Sequence, residues 1–406
     1  MNTSKQTKNI ILAIVLILVV GSIVLISIKK PKHLASSDAA DIVVLTNSSG
    51  ATQPTDSMHP NTQTPTTVHS DAVTANHNAM IAQEAKQYPR GKELVGIDNY
   101  INTQPFKLAD LVAKNDVVLV DFWTYSCINC QRTIPYLNAW YKKYKDQGLV
   151  IVGVSAPEFD FEKNYDNVST AVKQLGIEYP VVLDNEMQTW DAYNNEYWPA
   201  EYLINNDGFV IHTNFGEGDY AATEQAIQAA LKARDAELGL PDAVPTGLVN
   251  PVDVVSVNGS QVNSPETYFG SNRNEYLANG TQGLGGVQNL TTPNTINLNQ
   301  LYLDGSWNFH PEFAESTSST TKITFQYSAK NVYFVASSAT GVRAKVLIDG
   351  KQIDPSIAGS DVSPDGTVLI QADKLYNIVH GTSYGQHTLE LDIEDSGLDA
   401  YTFTFG

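Results

Sequence analysis

Apolar and polar residues alternate along this chain in patterns that change from one segment to the next. Between about residues 89 and 240, near-continuous apolar runs such as 117–123 and 149–156 are separated by segments with helical spacing. Such runs are typical of buried strands, and residues 134–146 place their apolar side chains on one helix face. Strands that alternate with helices predict an α/β domain with helices on both faces of its sheet.

The pattern changes after a linker at residues 241–262 that contains Pro and Gly. In residues 263–406, apolar side chains recur at every second position of several short segments. This period is that of strands with one buried face, and Asp349-Gly350 predicts a tight hairpin turn. We therefore predict an all-β antiparallel sandwich, jelly-roll-like, for this part of the chain.

Two further patterns precede the α/β domain. Residues 10–28 carry no charge and have lysines on both sides, and this length is sufficient to span a bilayer. Because the apolar region of a cleavable signal peptide is shorter, we expect residues 1–30 to form an uncleaved signal anchor, with a cleaved signal as the alternative. Residues 31–88 are rich in Ser, Thr, Asn and Pro without periodicity, which predicts a disordered tether.

Net charge limits the range of partners. The chain of 406 residues has 25 Lys and Arg against 44 Asp and Glu, for a formal net charge of −19. An acidic chain repels nucleic acid and anionic lipid headgroups, and no basic stripe offsets this repulsion. We therefore expect no nucleic-acid partner.

The two cysteines of the chain, Cys127 and Cys130, both lie in the stretch DFWTYSCINCQRTIP. A zinc site usually needs four ligands, and the sequence has no second CxxC and no His pair at ligand spacing. A purely structural disulfide across two residues would remove little unfolded-state entropy. A redox pair fits better, because the strand-to-helix position places Cys127 where the helix dipole favours a thiolate. Cys130, one turn further on, would then resolve a mixed disulfide, so the pair would form a redox-active disulfide without metal or separate cofactor.

The residues around the cysteines resemble the active site of the thioredoxin superfamily. The shared pattern is DFW, then CxxC, then Pro135 eight positions after the first cysteine. In that family the Asp before the FW pair is a buried carboxylate beneath the two sulfurs, which accepts and donates protons. The resemblance therefore implies this role for Asp121.

The same resemblance implies a cis-proline that faces the disulfide. The candidate is Pro199 in EYWPAEYLI, just before a predicted strand. The backbone of Trp198 would then lie beside the reactive sulfur and pair with an extended substrate chain. We expect Trp123 and Tyr125 to shape the substrate groove.

Longer motifs are similar to two groups within this superfamily. The segment between the CxxC helix and the Pro199 strand looks like the insertion of TlpA/ResA-like membrane-tethered thioredoxins. The motifs PEF-x-FE, YPVVLDN, YWPAEYLI, FGEGDY, SPETYFG and AYTFTFG resemble the extracytoplasmic part of DipZ-type cytochrome c biogenesis proteins, from about residue 93 to the C-terminus. Those proteins carry a polytopic electron-transfer domain, whereas this sequence has one apolar segment. The resemblance thus implies a separate membrane electron donor, such as a CcdA-like protein.

The C-terminal domain of DipZ-type proteins looks like a carbohydrate-binding module. By that resemblance, envelope glycans are a second candidate partner, and Tyr268, Trp307 and Tyr376 could stack on sugar rings. The alternative, which we favour, is that these aromatic side chains fill the core of the sandwich or its rim.

Together, these features predict a membrane-anchored thiol–disulfide oxidoreductase on the outer side of a prokaryotic plasma membrane. Its substrates would be disulfides of exported proteins, with cytochrome c maturation as one setting. One alternative is a surface binding module in which the thioredoxin-like unit is only a scaffold. Another is a thiol peroxidase of the redoxin, or AhpC/TSA, grouping. Thr124 fits the peroxidatic motif, but Val120 stands where that motif has Pro.

Overall fold

The computed structural model describes residues 40–42, 68–252 and 254–406. The anchor predicted at residues 1–30 and most of the predicted tether lie outside these residues. Among the helices that are described, none is both long enough and apolar enough to cross a bilayer.

The first domain is built on one mixed sheet. Its strands are β1 (Asn99–Ile101), β2 (Val117–Trp123), β3 (Leu149–Ser155), β4 (Val181–Leu183), β5 (Ala200–Ile204) and β6 (Val210–Phe215). In the described residues these six strands lie in the order β1-β4-β3-β2-β5-β6. Strands β2, β3 and β4 are mutually parallel, whereas β1, β5 and β6 run antiparallel to their neighbours.

Helices cover both faces of this sheet, which confirms the predicted α/β architecture. The helices are α1 (Val68–Gln87), α2 (Leu108–Val112), α3 (Ile128–Tyr144), α4 (Tyr165–Gln174), α5 (Gln188–Ala192) and α6 (Tyr220–Glu237). Apolar side chains of α3, α4 and α6 pack on one face, and those of α2 and α5 pack on the other. Every residue of the central strand β2 is buried, as its uninterrupted apolar run requires. The chain leaves β2 and enters α3 through the two cysteines.

The tether prediction is wrong where the structure describes that segment. Helix α1 occupies residues 68–87, and the side-chain amide of Asn205 donates hydrogen bonds of 3.1 Å to both carboxylate oxygens of Glu84. Ile42 is 1% exposed and packs among apolar side chains of the sheet. The average composition of residues 31–88 is that of a disordered segment, but its last third is rich in the helix formers Ala, Gln, Glu and Lys. Contacts between this helix and the domain stabilise it.

The C-terminal domain is antiparallel and all-β, as predicted. Its strands are β7 (Thr267–Tyr268), β8 (Gly286–Leu290), β9 (Leu301–Phe309), β10 (Ala314–Ser316), β11 (Thr321–Ser337), β12 (Val342–Ile348), β13 (Lys351–Gln352), β14 (Thr367–Ile370), β15 (Lys374–Ile393) and β16 (Asp399–Phe405). In the described residues they form one continuous ten-stranded sheet around a single core, rather than two separate sheets. The long strands β11 and β15 make this possible, because register irregularities near Ala329 and Val332 interrupt their pairing and let it bend.

The three aromatic residues considered for sugar stacking do not offer open faces. Trp307 is 0% and Tyr376 is 2% exposed, so both fill the core of the domain. The ring of Tyr268 lies 3.7 Å below the guanidinium of Arg273, and its hydroxyl donates to the Glu158 carboxylate at 2.8 Å. The stacking role is therefore wrong for these residues, and the packing alternative is confirmed for Trp307 and Tyr376.

Candidate redox centre

The two cysteines lie where the sequence predicts, at the junction of β2 and α3. Cys127 is the N-cap of α3 with an extended backbone, and Cys130 lies in the first turn of the helix. Both thiols are free, and the backbone N–H of Cys130 donates to Sγ of Cys127 at 3.4 Å. An N–H that points at a sulfur at the start of a helix stabilises negative charge on that sulfur. Cys127 is therefore the sulfur placed to act as nucleophile.

The second cysteine lies in a different environment from the first. Cys130 is 1% exposed, whereas Cys127 is half-buried. Burial raises the pKa of the Cys130 thiol well above its ordinary value, and the neighbouring sulfur and the Asp121 carboxylate raise it further. Cys130 thus holds its proton until a base removes it, as a resolving cysteine should.

Asp121 is the buried acid that the resemblance implied. It lies on β2, is 1% exposed, and neither of its carboxylate oxygens has a hydrogen-bond partner among the described residues. Desolvation raises its pKa well above the ordinary value, and the nearby Glu201 carboxylate raises it further. A carboxyl group in this state can take a proton from Cys130 and return it.

A second buried acid, Glu201, was missed by the sequence reasoning. It lies directly opposite Asp121 on the neighbouring strand β5, so both side chains point to the same face of the sheet. Glu201 is 1% exposed, and burial raises its pKa to about 7 even though the Thr223 hydroxyl donates to it at 3.1 Å. The signal was present in the sequence as a Glu inside the apolar stretch AEYLI, since a buried strand rarely carries an unpaired charge.

Another carboxylate fixes the loop that carries the first cysteine. Glu162 is completely buried; one of its oxygens accepts from the Ser126 hydroxyl at 2.5 Å and the other from the backbone N–H of Phe159 at 3.0 Å. Burial raises the pKa of Glu162. This acid therefore ties the residue before Cys127 to the PEF-x-FE segment, and that contact explains why the motif contains a Glu.

The structure places a cis peptide bond between Trp198 and Pro199, as the resemblance implied. Pro199 is buried at the start of β5, and its carbonyl accepts from the N–H of Gly216 at 2.8 Å. The indole N–H of Trp198 donates to the carbonyl of Ala156 at 2.9 Å, and its ring lies 4.2 Å from that of Trp190. These contacts hold the Trp198–Pro199 segment rigidly on the sheet.

Two residues expected to shape a substrate groove are instead packed inside the molecule. Trp123 is 0% exposed and belongs to the core between the sheet and α3. Tyr125 is 5% exposed, and its hydroxyl donates to the backbone carbonyl of Asp373 in the C-terminal domain at 3.0 Å. The prediction that Trp123 and Tyr125 line a groove is wrong, because the aromatic positions beside the CxxC support the loop from within.

Arg132, two residues after the second cysteine, is a buried cation and is only 6% exposed. Its guanidinium makes two hydrogen bonds with the Glu217 carboxylate, at 2.7 and 2.8 Å, and its Cζ lies 5.9 Å from the ring centre of Tyr333. The charge is therefore paired, and Arg132 links α3 to the loop before α6 and to the C-terminal domain.

Apolar side chains of the C-terminal domain cover the residue between the cysteines. Ile128 is 8% exposed and belongs to a cluster that we call the interdomain cluster. Its buried members are Ile128, Phe159, Tyr333, Val335, Leu375 and Tyr401. The last four come from β11, β15 and β16, so the two domains share a small core directly beside the redox centre.

Polar contacts surround the interdomain cluster. The Arg273 guanidinium pairs with the Glu158 carboxylate at 2.7 Å, and the Asn167 side chain donates to the Asp373 carboxylate at 3.2 Å. A cavity of about 250 Å³ remains between α3 and β11, lined by Ile128 and Leu375 among others. The C-terminal domain thus forms one wall of the region around the CxxC.

This packing makes Ile128 a test of the interface. Replacing Ile128 with Ala should lower the free energy of unfolding by about 2–3 kcal/mol, because a buried aliphatic side chain is lost from both domains at once. The matched change Ile128→Val should cost only about 0.5–1.5 kcal/mol. Urea denaturation of the full chain measures both values, and an Ala variant as stable as the wild type would show that the domains do not pack here.

Two exposed aromatic side chains lie close to the cis-proline. Tyr197 is 51% and Phe215 is 50% exposed, with ring centres 5.5 Å apart. Phe215 is the strand partner of Ala200, directly after Pro199. Sequence reasoning missed this pair, because only the register of β5 with β6 brings the two rings together.

Comparisons with known proteins agree with this architecture. Residues 93–213 match the AhpC/TSA family, and residues 264–406 match the family described as thioredoxin like C-terminal domain. Protein DipZ of Mycobacterium tuberculosis is 37% identical over 315 residues, which cover 77% of this chain and 42% of DipZ. The chain therefore matches less than half the length of DipZ.

Two shorter matches cover the first domain. Thiol-disulfide oxidoreductase ResA of Bacillus anthracis is 32% identical over 126 residues, 31% of this chain and 66% of ResA. A solved thiol:disulfide interchange protein of the thioredoxin family from Chlorobium tepidum TLS is 22% identical, with a TM-score of 0.31 over 36% of this chain and 97% of that chain. Two family models thus match successive parts of this chain, AhpC/TSA over residues 93–213 and thioredoxin like C-terminal domain over residues 264–406, and the chain is similar to parts of DipZ and ResA.

Proposed function

We propose that the chain is a thiol–disulfide oxidoreductase that works through Cys127 and Cys130. The observation that carries this proposal is the unequal pair of sulfurs. Cys127 is accessible and receives an N–H, whereas Cys130 is buried above Asp121 and keeps its proton. A scaffold has no need of a buried, unpaired acid beneath two free thiols, and such an acid is costly to fold. The names of the relatives, ResA in particular, point to the same chemistry.

The reaction follows from the different surroundings of the Cys127 and Cys130 sulfurs. The Cys127 thiolate attacks a sulfur of the substrate disulfide, forms a mixed disulfide and releases one substrate thiolate, which takes up a proton. Asp121 then removes the proton of Cys130, and the Cys130 thiolate attacks Sγ of Cys127. This attack breaks the bond between Cys127 and the substrate and releases the second substrate thiolate, which takes up a proton. The protein ends as the Cys127–Cys130 disulfide, two electrons and two protons poorer, and the substrate ends as two thiols.

The cellular setting is a further part of the proposal. The uncharged residues 10–28 support a membrane anchor with the catalytic domain outside a prokaryotic plasma membrane. The resemblance of this chain's motifs to DipZ-type cytochrome c biogenesis proteins supports exported proteins as substrates, with cytochrome c maturation as one process. A separate membrane protein, of the CcdA kind, would then supply electrons to Cys127 and Cys130. A glycan ligand for the C-terminal domain is a weaker proposal, since the candidate aromatic residues are packed.

A redox titration tests the activity directly. We expect the full chain, equilibrated in glutathione buffers of graded ratio, to lose and regain two alkylatable thiols in one reversible two-electron transition. The midpoint should lie between about −120 and −270 mV, the range of known thioredoxin-like proteins. Alkylation and mass measurement count the thiols. A pair that stays reduced or stays oxidised at every ratio would favour the scaffold alternative. The midpoint, compared with that of a donor or substrate couple, gives the direction of electron flow.

A further inference from the structure

Glu201, the buried acid that faces Asp121 across the β2–β5 pair, begins a series of hydrogen bonds that the thiol–disulfide reaction described above does not use. The Thr223 hydroxyl on α6 donates to one carboxylate oxygen of Glu201 at 3.1 Å. The same hydroxyl lies 3.2 Å from Nε2 of His212 on β6. The other oxygen of Glu201 has no partner among the described residues and belongs to the side chain that lies opposite Asp121.

Exposure increases along this chain of groups. Asp121 and Glu201 are each 1% exposed and Thr223 is completely buried, whereas His212 is half-buried on the edge strand. A proton on Asp121 has no direct route to water, because Asp121 lies on the central strand under α3. The hydrogen-bonded groups lead from the middle of the sheet to its solvent-exposed edge.

We propose that Glu201, Thr223 and His212 form a proton path between Asp121 and solvent at the β6 edge of the sheet. The inference rests on the proposed thiol–disulfide function, which requires one proton to leave the centre each time Cys130 becomes part of the disulfide. The path supplies that exit, and in the reverse reaction it supplies a proton to Cys130.

The transfers balance at each atom. Cys130 gives its proton to Asp121 and its thiolate forms the S–S bond with Cys127. Asp121 passes the proton to Glu201, whose acid group gives it to the Thr223 hydroxyl as that hydroxyl turns its own hydrogen toward His212. Neutral imidazole accepts at Nε2 and releases a proton to water from its exposed side. No electrons move along this path.

The groups that face the path are suited to it. Burial raises the pKa of Glu201 to about 7, so the acid exchanges protons near neutral pH. Burial lowers the pKa of His212, against an opposing effect of Asp219, and so keeps the imidazole able to accept. Among the described residues, Asp121 and Tyr179 are titratable groups that interact with Glu201, and each has a raised pKa that keeps it protonated over a wider range.

Single-turnover kinetics of the full chain test the path. The dithiol protein is mixed with oxidised glutathione, quenched in acid and alkylated, so that the mixed disulfide and the internal disulfide are counted separately. We expect Glu201→Gln to slow formation of the internal disulfide by about tenfold or more above pH 7, and Thr223→Val by about threefold to tenfold. In both variants, the rate of mixed-disulfide formation, which reports attack by Cys127, should equal that of the wild type.

Two controls separate proton transfer from packing. Thr223→Ser keeps the hydroxyl, so its rate of internal disulfide formation should stay within about twofold of the wild-type rate. Thr213→Val changes an exposed residue on the same strand as His212 and should leave that rate unchanged. The solvent deuterium isotope effect on the internal step should change in Glu201→Gln and Thr223→Val alone. Variants with wild-type rates, pH profiles and isotope effects would overturn the path. A wild-type protein that forms no disulfide at all would instead overturn the proposed function.

Discussion

Replacing Cys127 with Ser should reduce the rate of disulfide reduction by the full chain at least about 1,000-fold. The Ser hydroxyl is a far weaker nucleophile at neutral pH, and no other thiol in the sequence can reach a substrate, because Cys130 is 1% exposed. Turnover of an insulin disulfide with dithiothreitol as the reductant measures this loss. Residual activity near that of the wild type would mean that the reaction does not start at Cys127.

The matched variant Cys130→Ser should behave differently. Cys127 remains able to attack, but nothing resolves the mixed disulfide, so the protein should accumulate covalently bound to its substrate. Non-reducing electrophoresis or mass measurement detects this adduct, which the Cys127→Ser variant should not form. Equal trapping in both variants would contradict the assigned order of the two sulfurs.

The second large effect concerns stability rather than rate. Glu201 has a pKa of about 7 in the folded protein against an ordinary value of 4.5. Burial disfavours the charged form of Glu201, so the folded state is favoured when this side chain is protonated. Its contribution to the free energy of unfolding is therefore complete below about pH 4.5 and is lost as the pH rises to about 7. That difference corresponds to about 3 kcal/mol of free energy of unfolding.

Replacing Glu201 with Gln should remove this dependence. We expect the variant and the wild type to have similar free energies of unfolding near pH 4.5, and the variant to be more stable by about 3 kcal/mol near pH 8. Urea denaturation across this range gives the comparison, and the exposed Glu196→Gln is the matched control. A constant difference between Glu201→Gln and the wild type at all pH values would show that Glu201 does not titrate inside the fold.

Local sequence patterns were enough to locate much of the redox centre. The apolar run of β2 placed Asp121 inside the sheet, and the change to helical spacing placed Cys127 at the start of α3. These features depend on neighbouring residues only, so a short stretch of sequence contains them. Pro199 was found differently, through the resemblance of its surroundings to the cis-proline segment of the thioredoxin superfamily.

The remaining parts of the site depend on residues that are far apart in the chain. Glu201 meets Asp121 only through the pairing of β5 with β2, and Arg132 meets Glu217 across 85 positions. The burial of Tyr125 depends on the C-terminal domain, and hydrophobic periodicity does not encode which surface another domain covers. Trp123 is buried within its own domain, between the sheet and α3. Helix α1 escaped notice for a related reason, because its stability comes from contacts and from Ala-rich composition rather than from an amphipathic face.

The position of Ile128 limits which versions of the two domains can be combined in one chain. The residue lies between the two cysteines and beneath side chains of β11, β15 and β16. A change on those strands alters the packing of the CxxC loop, and a change in the loop alters what those strands must accommodate. The two domains must therefore vary together. A chimera that takes one of them from a distant homologue would expose or overcrowd the cysteine loop, even if each half kept its own fold.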